Sequence, residues 1–510
     1  MAGRPGVSAM TAQDVTSGFA DLHLHQFANL AFGGKVLWGQ PSGNPAAVLR
    51  PCREMHGPHG ITDLVGNVGR VMATGARWTA LLGHDTGGYP GFRGWPAWDD
   101  FTHQAVHEQW LKRAVDGGLR LAVVTAVHNE VLCRLSRRST STCDDMDVVD
   151  LQIGAAHDME AHIDTVCGGP GTGWYRIVRS PAQAREVIAS GRLAVVLGVE
   201  VDNVFGGRPG SRMSPAQLTA TVEKYYQAGV RHIIPLHLSD NAFGGAAFAL
   251  PLQWSRNNRV LSAANPLLSL PVYRMRTESR SGAGYRYRGG NCNVRGLTSA
   301  GRRLVEELMD RGMIIDVDHM SARTRADVLD MAAAAHYPVV ASHTEFLELS
   351  RPELRSERQL QPSEVELIRK TGGAVAPLVR QSTMNVAAAD QGTLLTFLRA
   401  HRYNLARAGT EWSAFGSDFN GFAGLPRPGR LPPGGLAYPF PNPLGGGPVH
   451  RSTIGEVTFD INHDGVAHVG MLPDFLAALD AAGLSAAEMA PLMRSAAGYV
   501  ELWDKAERRA

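Results

Sequence analysis

Lysine is nearly absent: five residues stand against 45 arginines in a chain of 510. None of the five ends an apolar run, which argues against a metal bridge made from a carbamylated lysine. Cysteine is equally scarce. The five residues (Cys52, Cys133, Cys143, Cys167, Cys292) are odd in number and include no C-x-x-C pair. That pattern argues against a disulfide framework and predicts a reduced, cytoplasmic protein whose cysteines are small buried or loop side chains. No segment approaches 18 uninterrupted apolar residues, the N-terminal MAGRPGVSAMTAQD lacks the apolar core of a signal peptide, and the terminal ELWDKAERRA carries no lipid-anchor signal. No membrane association is expected. The formal net charge of only +2 gives no footprint for nucleic acid, and the arginine excess suits a GC-rich genome better than a binding role.

With 44% hydrophobic and 19% charged residues, the chain has ample material for a globular core. Metal-binding side chains recur at the ends of its apolar runs: His23 and His25 in FADLHLHQ, Glu200 closing LAVVLGVE, His319 closing GMIIDVDH, His343 closing YPVVASH. Asp418 follows in GSDF. Residues two apart in a strand share a face, so both imidazoles of the first pair can point at one ion. Eight strands are predicted, at 18–25, 120–127, 193–200, 232–238, 312–318, 337–342, 373–378 and 412–417, with helices between several of them at 214–228, 298–311 and 362–371. Such alternation predicts an α/β chain, a (β/α)8 TIM barrel whose active rim is the C-terminal one. One domain is expected, with the barrel over about 18–421 and a C-terminal helix over 472–506 packed against it. Long stretches at 34–118, 241–296 and 421–472 each follow a strand, so they emerge on that rim and are expected to act as lids.

Several blocks resemble the membrane (renal-type) dipeptidase family of the amidohydrolase superfamily. They are GLTSAGRRLVEELMDRGMIIDVDHMS (296–321), PVVASHTEF (338–346), SEVELIRKTGGAVAPL (363–378), FGSDFNG (415–421) and RIVRSPAQAREVIASGRLAVVLGVE (176–200). The resemblance implies two divalent ions, zinc by family habit. His23, His25 and Glu200 would hold the first, with Glu200, His319 and His343 on the second. It further implies Asp418 as the group that moves the proton and His237 as donor to the substrate carbonyl. Asn241 becomes a substrate contact or a turn cap, and Arg358 a clamp for a carboxylate, with Arg351 and Arg355 as rivals. Two positions depart from the family: His25 and Asn420 each stand where it has aspartate.

The expected activity is hydrolysis of the amide bond of a dipeptide or related small amide by metal-bound hydroxide. Two alternatives stay open: an amidohydrolase acting on a lactone, cyclic amide or N-acyl substrate, and a metal-binding barrel without catalysis. No partner beyond a small substrate is expected, and a homodimer is left open. The remaining histidines receive ordinary readings, His56 and His59 as loop residues and His103 and His107 as neighbours on one helical face. Asp316 and Asp318 are expected to support the ligands from behind.

Overall fold

Apolar runs bounded by turn residues form a parallel ladder in the computed structural model. It describes residues 18–74, 81–135, 142–247, 277–279, 291–409, 411–429 and 435–510. The strands are β1 (Phe19–Leu24), β2 (Leu119–His128), β3 (Tyr175–Ile177), β4 (Leu193–Val201), β5 (Val230–Ile234), β6 (Ile314–Asp316), β7 (Val339–Thr344) and β8 (Ala374–Pro377). Their order is β1-β2-β4-β5-β6-β7-β8, parallel throughout, with short β3 beside the start of β4. Every residue of β1, β4, β5 and β7 is buried, as expected where helices cover one face and a packed interior the other.

Residues 415–419 close the ring. Leu22 N–H donates to Phe415 O, His25 N–H to Phe419 O and Val379 N–H to Gly416 O, so this segment joins β1 to the end of β8. It is not a regular strand, as the expected span 412–417 implied. Asp418 and Asn420 have φ of 56° and 62°, which breaks the ladder at the point where side chains must turn inward.

Between the strands, helices start where the sequence supplies caps. Ser214 and Gln217 form a capping box ahead of Pro215–Gln227, Thr298 accepts from Gly301 N–H at Ser299–Met309, and Gln361 pairs with Glu364 at Pro362–Lys370. The helix expected over 472–506 is three helices: Leu472–Ala481, Ala486–Met493 and Ser495–Glu507. Gly483, at φ 95°, ends the first, and a Ser485–Glu488 capping box starts the second. They cover the N-terminal end of the barrel, where Ala20 N–H donates to Ser495 Oγ and His232 Nδ1 meets the Tyr499 hydroxyl.

The cysteine reading needs correction. Cys133 and Cys143 form a disulfide, joining the helix Glu130–Leu135 to the residue before the N-cap of Asp145–Val166. They lie ten positions apart, a spacing that carries no motif, and the bond removes the cysteine argument for a reducing compartment. Among the described residues, Cys52, Cys167 and Cys292 take part in no disulfide. Nor do His103 and His107 share a helical face. His103 lies in an extended segment paired with Trp38, and His107 caps the helix Glu108–Asp116. Most of insertion 241–296, YRYRGG included, lies outside the described residues. Among those described, no helix is long and apolar enough to cross a membrane.

Candidate metal centre

Each candidate ligand sits where a strand delivers it to the C-terminal rim. His23 lies in β1 with His25 just past its end; Glu200 is near the end of β4 and His343 near the end of β7. His319 follows β6 by three residues in a left-handed conformation, φ 63°. All five are buried.

Their geometry is that of two imidazole pairs facing one carboxylate. Glu200 Oε2 is 3.3 Å from both His23 Nε2 and His25 Nε2, while Oε1 is 3.1 Å from His319 Nε2 and 3.8 Å from His343 Nε2. Within the pairs, Nε2 atoms approach to 3.1 Å (His23, His25) and 2.8 Å (His319, His343). The far side of the rings explains which nitrogen turns inward. His25 Nδ1 donates to Thr125 O at 3.0 Å, and Ser342 Oγ lies 3.1 Å from His23 Nδ1 and 2.9 Å from His343 Nδ1. A ring that donates through Nδ1 presents the Nε2 lone pair. Ser342 was missed in the sequence, although it directly precedes His343.

Lone pairs of four imidazoles converge on buried Glu200 with the partly buried Asp418 beside them, a donor set that fits divalent metal. Burial disfavours the imidazolium of His25, yet Asp418 and Glu200 outweigh it and push this group up to about 10. Burial likewise opposes ionisation of Glu200, but the surrounding histidines hold it well below the usual carboxylate range. Both shifts express the mutual attraction of carboxylates and imidazoles packed together.

Asp418 Oδ1 lies 3.0 Å from His25 Nε2 and 3.7 Å from His23 Nε2, so it faces the first pair. Its Oδ2 accepts from Ala423 N–H. His237 follows β5, its ring 4.9 Å from that of His319; burial pushes it down to about 3, hence neutral. Its Nδ1 has no hydrogen-bond partner among the described residues. Asp318 Oδ2 accepts from His343 N–H, and Asp316 Oδ2 from His232 Nε2, both behind the ligands.

Asn241 does not reach this site. Its Nδ2 donates to Asp202 O and Pro235 O while Oδ1 accepts from Phe243 and Gly244 N–H, leaving nothing for a substrate. The substrate-contact reading is corrected: Asn241 is the turn cap. Asn420 also ties backbone. Its Nδ2 donates to His25 O (3.0 Å) and Gln104 Oε1 (2.7 Å), and its Oδ1 accepts from Ala105 N–H (2.9 Å). An aspartate there would lose both donated bonds.

The centre opens into a cavity of about 1870 Å³, larger than the ~300–1,000 Å³ of ordinary small-molecule sites. Arg351, Arg358, Arg380 and Arg427 line one part, and Phe32, Val36, Met55, Leu64, Val65 and Val68 another. Arg355 is not in the lining; its Nε donates to Ser350 O. Among the described residues Arg358 has no carboxylate within ion-pair distance, whereas Arg427 spends its guanidinium on backbone carbonyls.

Residues 272–429 match the model of a membrane dipeptidase family, peptidase family M19, the family whose blocks the sequence resembles. Over 238 residues the chain is 26% identical to an uncharacterized dipeptidase of Schizosaccharomyces pombe, a match that spans 47% of this chain and 44% of that protein, less than half its length. Two solved structures are similar at 16% identity and a TM-score of 0.48. One is dipeptidase AC, a metallopeptidase of family M19 (78% of this chain, 88% of that one). The other is a metallopeptidase from Rhodobacter sphaeroides liganded with a phosphinate mimic of the dipeptide L-Ala-D-Ala (78% and 89%).

Proposed function

We propose, from the family match and the geometry together, that this chain is a binuclear metal-dependent hydrolase that cleaves the amide bond of a dipeptide. The observation that carries the reading is the division of Glu200, one oxygen toward His23 and His25 and the other toward His319 and His343. A carboxylate so placed can bridge two cations about 3.5–4 Å apart. Zinc is the metal that suits three or four imidazoles with carboxylates.

Two cations held there would acidify a water and polarise the scissile carbonyl. The protein's side chains do the rest. Asp418, facing the first histidine pair, takes the proton from the attacking water and returns it to the departing amine. His237, neutral and lining the cavity, donates to the carbonyl oxygen as charge develops on it. Arg358, with no carboxylate in ion-pair reach among the described residues, binds the substrate carboxylate from the cavity wall.

That last role has its own signature. Amidating the substrate's carboxylate and replacing Arg358→Ala should each raise KM by about 10- to 10²-fold, the worth of a charge-assisted hydrogen bond. Combined, the losses should not add, because both remove one interaction. Additive losses in the steady-state constants would move the clamp to Arg351.

A second reading draws support from the apolar wall. Leu64 and Val68 are 70% and 42% exposed at the cavity, a surface suited to a bulky acyl group. An N-acyl amino acid would carry that group together with the carboxylate. Assaying the purified protein on L,L- and L,D-dipeptides, N-acyl amino acids and lactones separates the cases. Dipeptide turnover that stops with chelator and returns with zinc is expected. Turnover of acylated substrates or lactones alone would select the second reading, and bound metal without hydrolysis a binding barrel.

A further inference from the structure

We propose that Cys52, His56, His84 and His103 form a second metal site inside the insertion at 34–118, a closed tetrahedron of one thiolate and three imidazoles for a zinc-like ion. The four ligand atoms lie within 4.8 Å of one another. Cys52 Sγ is 3.5 Å from His84 Nε2, and His56 Nδ1 is 3.3 Å from the same atom. Bonds of about 2.0–2.1 Å to nitrogen and about 2.3 Å to sulfur give a regular tetrahedron edges of about 3.3–3.6 Å. These two separations match two of the six edges, and the other pairs lie within 4.8 Å.

The outer nitrogens decide which lone pairs turn inward. His56 Nε2 donates to Val36 O at 3.2 Å, which frees Nδ1. His84 Nδ1 donates to Asn67 Oδ1 at 3.3 Å, which frees Nε2. His103 Nδ1 donates to Asp100 Oδ1 at 2.8 Å, which frees Nε2. That last atom is buried and has no hydrogen-bond partner among the described residues. Carboxylate or carbonyl acceptors behind each ring are what metal-bound histidines carry, because they fix the tautomer and raise the basicity. The three rings stand nearly perpendicular, at 84°, 86° and 88°, with centroids 4.8–5.2 Å apart. They approach a common point from different directions instead of stacking. Asp63 Oδ2, 3.6 Å from His84 Nδ1 and 3.9 Å from His56 Nδ1, adds negative charge beside the site.

Four protein ligands leave no open position, so this ion would be structural. It would join the short helix Arg53–His56, capped by Cys52, to His84 and to the extended segment at His103. Met55, His56, Thr62 and Asp63 belong to the cavity wall, so the ion would brace that wall.

Two measurements test this. Protein purified without chelator should lose one zinc equivalent per chain on Cys52→Ser, and the loss should stay at one, not two, when His103→Gln is added. Cobalt(II)-loaded wild-type protein should show a thiolate-to-cobalt charge-transfer band in the near ultraviolet. The hydrolytic centre contains no thiol and cannot produce that band, so failure of the proposed activity leaves it untouched. A cobalt-loaded wild type without the band overturns the site even if the variants do not fold. So does an unchanged zinc content in a folded Cys52→Ser variant.

Discussion

Asp418→Asn should leave a folded chain with its metals in place and lower kcat by about 10²-fold or more, the usual contribution of a positioned proton carrier. Asparagine is the cleanest probe here because position 418 has φ 56°, a left-handed conformation that asparagine adopts more easily than most residues. Its side-chain oxygen can still accept from Ala423 N–H, so the loop keeps its anchor. What disappears is the capacity to take a proton while facing the first histidine pair. Metal content, circular dichroism and kcat on one preparation separate the alternatives. Turnover near wild type with both metals present would mean that the proton travels by another group.

A still larger loss should follow Glu200→Gln, because that substitution strikes binding and chemistry together. The amide has the same shape but only one oxygen, so it can face one histidine pair and must offer an N–H₂ to the other. Removing partners behind metal ligands already costs about 10–100-fold in affinity. Loss of a ligand that serves both ions should exceed about 10²-fold and empty at least one position. Zinc titration followed by calorimetry measures this directly. A Glu200→Gln protein that retains both ions at wild-type affinity would refute the bridge.

Period-two spacing in FADLHLHQ was enough to place His23 and His25 on one face, and the apolar runs ending in Glu200, His319 and His343 pointed to one rim. Those signals survive in sequence because strand burial demands uninterrupted apolar residues, and a polar residue at the end of such a run stands out. The helices expected at 214–228, 298–311 and 362–371 match Pro215–Gln227, Ser299–Met309 and Pro362–Lys370, whose caps Ser214, Thr298 and Gln361 act locally, within three residues. The remainder depends on distant backbone. Asn241 is a turn cap only because Pro235 O and Asp202 O lie beside it, and Ser342 matters only because two rings flank it. Cys52 and His103 lie 51 positions apart in irregular chain, where no periodicity links them. The split of the C-terminal segment turned on Gly483, whose left-handed φ reads equally well as a weak point inside a helix. The disulfide Cys133–Cys143 has no spacing signature at all.

Asn420 makes the roof and the floor of this cavity a single part. Its one amide fastens His25, just past the end of β1, to Gln104 and Ala105 of the long insertion. Loops on barrel rims are commonly treated as exchangeable cassettes, each answerable only to the strand it follows. This one has a second attachment, made by a residue more than three hundred positions later in the chain. Transplanting residues 34–118 to another barrel of this type would therefore have to carry Asn420 along, or the graft would arrive unfastened beside the reacting groups.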